Sequence, residues 1–434
     1  MPAAKNEPEA KEEADPVKWW SYDANGSGEE LLASKEVTGY KPTACFKVDY
    51  AKYCELLSIK PHPCVVAVDE VRTRAQFNIH VRFARRRSPR RQLLFDPARP
   101  PPNPPAARRR AQVPEPPAEP DQEPTKVVVK NHLLDAGTLN AFALAMPKAE
   151  TLASLVLYNV GLDAPMLAKI AKLIPETRVT SLQLDYCPVA AAPAGAADAP
   201  PAADADGGPL ALFASLADEQ SPLTTLSLRG NQLGDAGALA LAGALAKNSV
   251  LAVLNLFDNG ISEPGAKAIA DAVKVNVGLK SLSLCANKLS GRSTVDFARA
   301  LTKYALDGDA GVAAYEGHRA RIDELNKAIA GGKGKGKDKG GKKMFNTVEV
   351  TPLGAVFEDD GAKCAPGNRV LEFLNISSND LDDEGASEAA ALLVAGKDAL
   401  ATSFKALSLQ RNGLADETLA AFDELKPEIT IITK

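Results

Sequence analysis

A leucine pattern recurs along the chain at a fixed spacing. Its three clearest copies are LTTLSLRGNQL from residue 223, LAVLNLFDNGI from 251 and LKSLSLCANKL from 279, so consecutive copies lie 28 residues apart. A constant period of this size is the signature of a solenoid, in which each unit buries its apolar side only against its neighbours. The sequence therefore predicts stacked repeats rather than one closed globular core.

Weaker copies extend the pattern in both directions. They begin at residues 152, 179, 371 and 404, and a degenerate first copy, KVVVKNHLLDAG, begins at 126. Each LxL core predicts a strand with inward leucines, and the following stretch, such as GDAGALALAGALAKN, has the three- and four-residue apolar spacing of a helix. We expect residues 123–434 to form a parallel sheet of about eight strands.

An asparagine ends the pattern in most copies, and Cys187 takes its place in the copy at 179. The positions are Asn231, Asn259, Asn287, Asn379 and Asn412. A buried amide can satisfy the backbone groups of a turn leaving the sheet, and repetition at every turn fits a structural ladder rather than an active site. Asp235 and Ser262 stand where helix N-caps are expected, and Pro264 falls in a first helical turn.

On these motifs, residues 123–434 resemble leucine-rich-repeat proteins of the ribonuclease-inhibitor-like subclass. The resemblance implies an α/β solenoid shaped as a horseshoe, with a parallel sheet on the concave face, helices on the convex face and disordered insertions. The usual work of that family is binding other proteins. The resemblance therefore implies protein partners and no cofactor.

Composition divides the chain into five segments. They are an N-terminal lead with an aromatic anchor segment at 1–71, an Arg/Pro-rich then acidic linker at 72–122, repeats 1–6 at 123–303 with a loop insertion at 188–209, an insertion with a helix and a Gly/Lys-rich linker at 304–366, and repeats 7–8 at 367–434. In the lead, Trp19 and Trp20 are candidate anchors, which either order on a partner or belong to a cap on the first repeat.

The insertion at 304–366 contains three distinct stretches. One has apolar residues at helical spacing, namely Tyr315, His318, Ile322, Leu325 and Ile329, and either packs on its own repeats or meets a partner helix. The Gly/Lys run 331–343 is either a solvated linker or a contact to an acidic polymer such as the tubulin surface. The following TVEV alternates like a strand.

Charge and motifs exclude several classes of function. The formal net charge is −4, and no apolar run is long enough for a signal peptide or a spanning helix, so we expect a soluble intracellular protein without membrane contact. Twelve arginines in 72–112 lack any accompanying RNA- or DNA-binding signature, which disfavours nucleic acid. The six cysteines and four histidines show no metal-ligand spacing and no catalytic arrangement, so we expect neither a metal site nor an enzyme.

The residue after the second leucine of each LxL core should face solvent on the concave side. Read in order, this slot holds Tyr158, Asp185, Arg229, Phe257, Cys285, Ser377 and Gln410. These side chains should stack as a ridge on which a helix or an extended peptide could lie. An aromatic residue beside an arginine is the composition of interface hot spots, so Phe257 and Arg229 are the leading candidates for partner binding. The alternative is that the chain's own insertion or lead fills the concave face.

A second resemblance concerns the assembly in which such a chain works. The lead with LLSIKPHPC, the segment CAPGNRVLEFLNISSND and the Lys/Gly insertion resemble leucine-rich-repeat subunits of ciliary and flagellar axonemes. This resemblance implies a structural subunit of a microtubule-associated complex in the cytoskeleton, with tubulin or other axonemal proteins as partners. The alternatives are a generic cytoplasmic adaptor and a Ran-type GTPase-activating protein, whose strongly acidic tail this chain lacks.

Overall fold

A computed structural model of the chain describes residues 29–62, 65, 125–132, 134–187, 208–218, 221–332, 350–400 and 402–433. Its strands in chain order are β1 (Lys126–Lys130), β2 (Ser154–Tyr158), β3 (Ser181–Asp185), β4 (Thr225–Ser227), β5 (Val253–Asn255), β6 (Ser281–Ser283), β7 (Lys303–Ala305), β8 (Phe357–Asp359), β9 (Ala362–Pro366), β10 (Phe373–Asn375), β11 (Ala406–Ser408) and β12 (Thr430–Ile432). Its helices are α1 (Lys35–Gly39), α2 (Phe46–Leu56), α3 (Ala136–Ala145), α4 (Ala164–Leu173), α5 (Gly208–Ala217), α6 (Gly234–Leu245), α7 (Glu263–Val275), α8 (Gly291–Leu301), α9 (Gly308–Gly332), α10 (Asp383–Ala395), α11 (Lys397–Leu400) and α12 (Asp416–Ala421).

The repeats build one parallel sheet, ordered β1-β2-β3-β4-β5-β6-β10-β11-β12. It has nine strands, one more than the eight or so that the motif copies predicted. The additional strand, β12, pairs in parallel with β11 but lacks the leucine motif. Its Ile431 continues the buried row of Leu407. The α/β leucine-rich-repeat solenoid predicted from the period is confirmed.

The core lies between the sheet and its helices. Leu226, Leu228 and Leu233 are all buried, as the repeat pattern predicted, and so are most of their equivalents in the other copies, although Leu162 and Leu414 are only partly buried. The inward residues of the repeat helices complete this core, for example Ile269 of α7. Because strand side chains alternate, the residues between and after the core leucines lie on the opposite side of the sheet, here called the open face.

The recurring asparagines form the expected ladder. The Asn231 backbone N–H donates to Asn259 Oδ1 at 3.1 Å, Asn259 to Asn287 at 3.0 Å, Asn287 to Asn379 at 3.1 Å and Asn379 to Asn412 at 2.6 Å. Each amide also donates to a carbonyl of the preceding repeat, as Asn259 does to Leu228 O at 2.8 Å. Cys187 mimics this contact, since its Sγ lies 3.6 Å from Leu157 O.

A second asparagine ladder lies where the helices return to the sheet. Asn248, Asn276 and Asn368 each accept hydrogen bonds from the two backbone N–H groups at the start of the next motif, at 2.7 to 3.0 Å. Asn276 donates to Asn248 O at 2.8 Å, and Asn368 donates to Asn276 O at 2.7 Å. The sequence carries this signal as Asn three residues before the first leucine of a copy.

The helix starts differ in one respect from the sequence prediction. Ser262 does occupy the N-cap position of α7, but Asp235 lies inside the first turn of α6 and does not cap its own helix. Its carboxylate instead accepts hydrogen bonds from Ser262 N at 2.8 Å and Gly265 N at 3.1 Å in the next repeat. The carboxylate thus satisfies free N–H groups of the neighbouring helix, which joins the two repeats.

The described part of the lead packs against the first repeat. Phe46 and Tyr50 of α2 lie 5.8 and 5.4 Å, between ring centroids, from Phe142 of α3. Asp49, which is buried, accepts hydrogen bonds from the Tyr40 hydroxyl at 2.9 Å and from Thr43 N at 2.8 Å. Residues 29–62 therefore cover the end of the repeat core, as a solenoid requires. Trp19 and Trp20 lie outside the described residues.

The insertion places a long helix on the repeats. In α9, Ile322, Leu325 and Ile329 are buried against Val277 and Val350, so this helix packs on its own repeats rather than presenting a free stripe. A small antiparallel sheet, β7-β9-β8, joins the two ends of the insertion. Residues 333–349, with most of the Gly/Lys run and the TVEV stretch except Val350, lie outside the described residues.

Candidate functional site

The predicted ridge follows the ends of the open-face strands. Strand register places Tyr158 directly beside Asp185, and the remaining members stand at the same position of their own repeats. Asp185 and Ser377 are nevertheless buried, so the expectation that the whole column faces solvent was wrong for these two. Asp185 Oδ1 accepts hydrogen bonds from Ser227 Oγ at 2.6 Å and from Arg229 N at 3.3 Å, and Ser377 Oγ lies 2.8 Å from Ser408 Oγ.

Arg229 and Phe257 form a pair at the centre of this column. The Arg229 guanidinium carbon lies 4.7 Å from the Phe257 ring centroid, which is a cation–π contact. Both side chains are half-buried. Phe257 is therefore less exposed than the sequence predicted, and the reason is that the Arg229 side chain covers its ring. Among the described residues no carboxylate forms an ion pair with the Arg229 guanidinium. Its charge is therefore available to a ligand.

Aromatic residues also gather at the first strands. The Tyr158 and Tyr186 rings meet edge to face with centroids 5.4 Å apart, and Lys130 Nζ lies 5.9 Å from the Tyr158 centroid. A side chain at Gly230, whose φ is +66°, would place its Cβ 2.4 Å from the Tyr186 ring. The glycine thus permits both the left-handed turn and the close approach of the tyrosine. Gln410 is half-buried at the other end of the column.

A second group on the open face escaped the sequence analysis. Phe373 and Val253 are 44% and 39% exposed and flank Ser281 on adjacent strands. Lys280 lies just before β6 and Lys405 just before β11, and the Nζ atoms of both lysines contact the Glu372 carboxylate. Lys405 Nζ also lies 5.8 Å from the Phe373 ring centroid. We call these residues, Val253, Lys280, Glu372, Phe373 and Lys405, the basic-aromatic patch.

The sequence did contain a signal for this patch. The third position of each motif, which faces away from the core, holds Ser154, Ser181, Thr225, Ser281 and Ala406 in five copies. Phe373 and Val253 are the large apolar exceptions at this position. The predicted ridge uses only the position after the second leucine of the motif, whereas Val253 and Phe373 stand at the third position.

Cysteine chemistry differs between the core and the open face. Burial raises the pKa of the Cys54 and Cys187 thiols to about 11, so both are protonated and unreactive at neutral pH. Cys285 is a free thiol and half-buried in the ridge beside Phe257. Its position makes it a reporter of ligand contact at the centre of the open face.

A groove on the helix side was the other candidate site. It has a volume of about 740 Å³ and lies between α6, α7 and the insertion, with Leu239, Lys267, Asp271, Tyr304 and Tyr315 in its lining. Leu239 is 66% exposed there. Lys267 and Lys274 both pair with Asp271, and Asp307 also lines the groove, so its two lysines are balanced by two carboxylates beside an apolar rim.

Two kinds of site are absent from the described residues. The part of the chain that the structure describes contains no cluster of three or more His, Cys, Asp or Glu side chains suited to a metal ion. Within those same residues, no helix combines the length and the apolar character that crossing a bilayer requires. The Arg229–Phe257 pair and the basic-aromatic patch are distinctive features of the open face.

Comparison with known proteins agrees with this architecture. The model of the leucine-rich-repeat family matches residues 220–242, 247–270 and 367–388. No curated protein matches the chain. Three repeats are thus recognised independently in the segment that carries the open face, and domains of this kind typically mediate protein–protein interactions.

Proposed function

We propose that this chain is a non-enzymatic scaffold that binds a protein partner across the open face of its sheet. The observation that carries the proposal is the Arg229–Phe257 pair, a cation and an aromatic ring half-buried on a face otherwise lined largely by small polar residues. Aromatic and arginine side chains of this kind dominate interface energies. The rigid sheet holds them in place, so little conformational entropy is lost on binding.

The test is a double substitution on the full-length chain. We expect Arg229→Ala with Phe257→Ala to preserve thermal unfolding but to weaken capture of the main partner more than tenfold, where capture is quantified by affinity purification and mass spectrometry. The matched control is Phe357→Ala with Lys363→Ala, which removes an aromatic and a cation from the small sheet and should leave capture unchanged. Equal capture by the folded open-face variant would contradict the proposal.

Cys285 provides a second, independent readout. A partner that covers the ridge should slow maleimide labelling of Cys285, while labelling of Cys45, a half-buried thiol in the lead, should not change. Loss of this protection in the Arg229→Ala, Phe257→Ala variant would place the contact at the open face. Unaltered Cys285 labelling in a saturated complex would move the interface elsewhere.

We propose further that the partner belongs to a ciliary or flagellar axoneme, where the chain would serve as a structural subunit of a microtubule-associated complex. This proposal is supported by the lead, the Lys/Gly insertion and the segment before the seventh repeat. The expected result is co-sedimentation with isolated axonemes that persists through high-salt extraction. Release at low salt would favour a cytoplasmic adaptor, and stimulated GTP hydrolysis by a Ran-type GTPase would reveal an activating protein.

A further inference from the structure

The basic-aromatic patch joins apolar surface to positive charge across strands β5, β6, β10 and β11. Register aligns Val253, Ser281, Phe373 and Ala406 in one row. Parallel strands are about 4.8 Å apart, so Val253 and Phe373 stand roughly 10 Å from each other with a small serine between them. A side chain of a ligand can therefore enter between two apolar walls.

Positive charge borders this row on one side. Lys280 and Lys405 are 60% and 61% exposed, and they share the single carboxylate of Glu372, which is 21% exposed. One carboxylate cannot neutralise two ammonium groups, so the edge of the patch keeps one uncompensated positive charge. Exposed pairs of this kind contribute little to stability, so their lysines can turn toward a ligand at small cost.

The open face as a whole also carries a net positive charge. Its strands and the two residues on either side of each carry five cations, Lys126, Lys130, Arg229, Lys280 and Lys405, against three acids, Asp185, Glu372 and Glu428, among the described residues. Asp185 is buried and hydrogen-bonded, so it adds little to the exposed surface. The complete chain has a formal net charge of −4, so the open face is opposite in sign to the molecule as a whole. Such a surface steers negatively charged partners toward it.

We infer that the basic-aromatic patch binds an acidic polypeptide segment, with an apolar side chain inserted between Val253 and Phe373 and carboxylates on Lys280 and Lys405. This inference rests on the proposed function and specifies the chemistry of the partner. Nucleic acid fits less well, because its affinity for proteins comes mainly from cationic contacts to many phosphates, and the patch supplies only two lysines beside an apolar centre. The occupant is therefore a protein segment rich in Asp and Glu with an aromatic or aliphatic anchor.

The experiment selects ligands without assuming their identity. A display library of random peptides, about 12 residues long, is panned on the immobilised full-length chain, and enriched peptides are measured by fluorescence anisotropy. We expect enriched peptides to combine net negative charge with at least one aromatic or large aliphatic residue. Their affinity should fall at least tenfold for Phe373→Ser and for Lys280→Glu, and it should weaken as salt is raised from 50 to about 300 mM because surface charge is screened.

Controls keep the test specific. Phe357 is 40% exposed and Lys363 is ion-paired with Asp309, so Phe357→Ser and Lys363→Glu are matched substitutions outside the patch and should leave affinity unchanged. If a charge-reversed variant fails to fold, Lys405→Gln provides a neutral replacement with an expected loss of at least threefold. Enrichment of neutral or basic peptides, equal binding to the patch variants, or tighter binding of an oligo-dT strand would overturn the inference.

The outcome separates this inference from the proposed function. Capture of the main partner that depends on Arg229 and Phe257 but not on Phe373 or Lys280 would leave the scaffold proposal standing and refute the acidic ligand. If capture of the main partner survives the Arg229→Ala, Phe257→Ala double substitution, and peptide affinity survives both Phe373→Ser and Lys280→Glu, both proposals are refuted.

Discussion

Replacement of one ladder asparagine should destabilise the solenoid more than the small size of that side chain suggests. Asn259 is 1% exposed, and its amide donates to Leu228 O at 2.8 Å while its Oδ1 accepts from Asn231 N at 3.1 Å. Asn259→Ala leaves that buried carbonyl and that buried N–H without partners. Each unsatisfied group costs about 1–3 kcal/mol, so the free energy of unfolding should fall by roughly 2–6 kcal/mol.

The measurement is urea unfolding followed by circular dichroism, with the midpoint shift converted through the m-value. Asn255→Ala is the matched control, since Asn255 is half-buried in the same repeat and its Oδ1 accepts only from Phe257 N, at 3.1 Å. Water can replace this contact, so the loss should stay near 0.5–1 kcal/mol. A loss for Asn259→Ala no larger than that of Asn255→Ala would refute the ladder as a source of stability.

A double-mutant cycle tests whether the rungs act together. Asn259 N donates to Asn287 Oδ1 at 3.0 Å, so the two positions share a hydrogen bond. Combining Asn259→Ala with Asn287→Ala should therefore depart from additivity by about 0.5–3 kcal/mol. Strict additivity would mean that each amide serves only its own repeat.

Three further outcomes are expected. Leu256→Ala should cost about 2–5 kcal/mol in urea unfolding, as for other emptied leucine sites, and a loss below 1 kcal/mol would contradict its buried role. Cys54 and Cys187 should resist Ellman's reagent until the chain unfolds, because burial raises their pKa; rapid native labelling would contradict this. A hydrogen bond from the Gly385 N–H lowers the pKa of Asp382 in the folded state. The ionised carboxylate therefore stabilises the fold at pH values above its unfolded-state pKa. This stabilisation is lost as the pH falls through the folded-state pKa. Wild type should therefore lose more stability than Asp382→Asn between about pH 5 and 3, and equal acid sensitivity would contradict the contribution.

The repeat architecture was accessible from sequence because its signal is local. A strand needs only the LxL alternation, and the helix that follows needs only its apolar spacing, so the pattern alone assigns Leu226 and Leu228 to the core, where both are buried. The asparagine ladder was equally accessible, since one residue type recurs at one position. In the insertion, the spacing of Ile322, Leu325 and Ile329 predicted α9 for the same reason.

The remaining features depend on contacts between distant segments. Strand β12 lacks the motif and forms because β11 offers it an open edge. Asp235 looks like a local N-cap, yet its carboxylate reaches the helix of the next repeat, since stacking brings that helix start within 2.8 Å. The exposure of Asp185 was mispredicted because Ser227 on the adjacent strand supplies a hydrogen bond that the motif alone does not reveal.

The insertion interrupts the chain without interrupting the ladders, and this explains where the basic-aromatic patch comes from. Asn287 and Asn379 are joined at 3.1 Å across 92 residues, nearly the same distance as the rungs 28 residues apart. Closing the longer loop costs only about 1 kcal/mol more, because the entropy of closure grows with the logarithm of loop length. Lys280 before the insertion and Phe373 after it therefore meet on adjacent strands, β6 and β10, as though they belonged to consecutive repeats. The described part of the insertion, α9 with β7, β8 and β9, packs elsewhere, so these elements leave the open face uncovered.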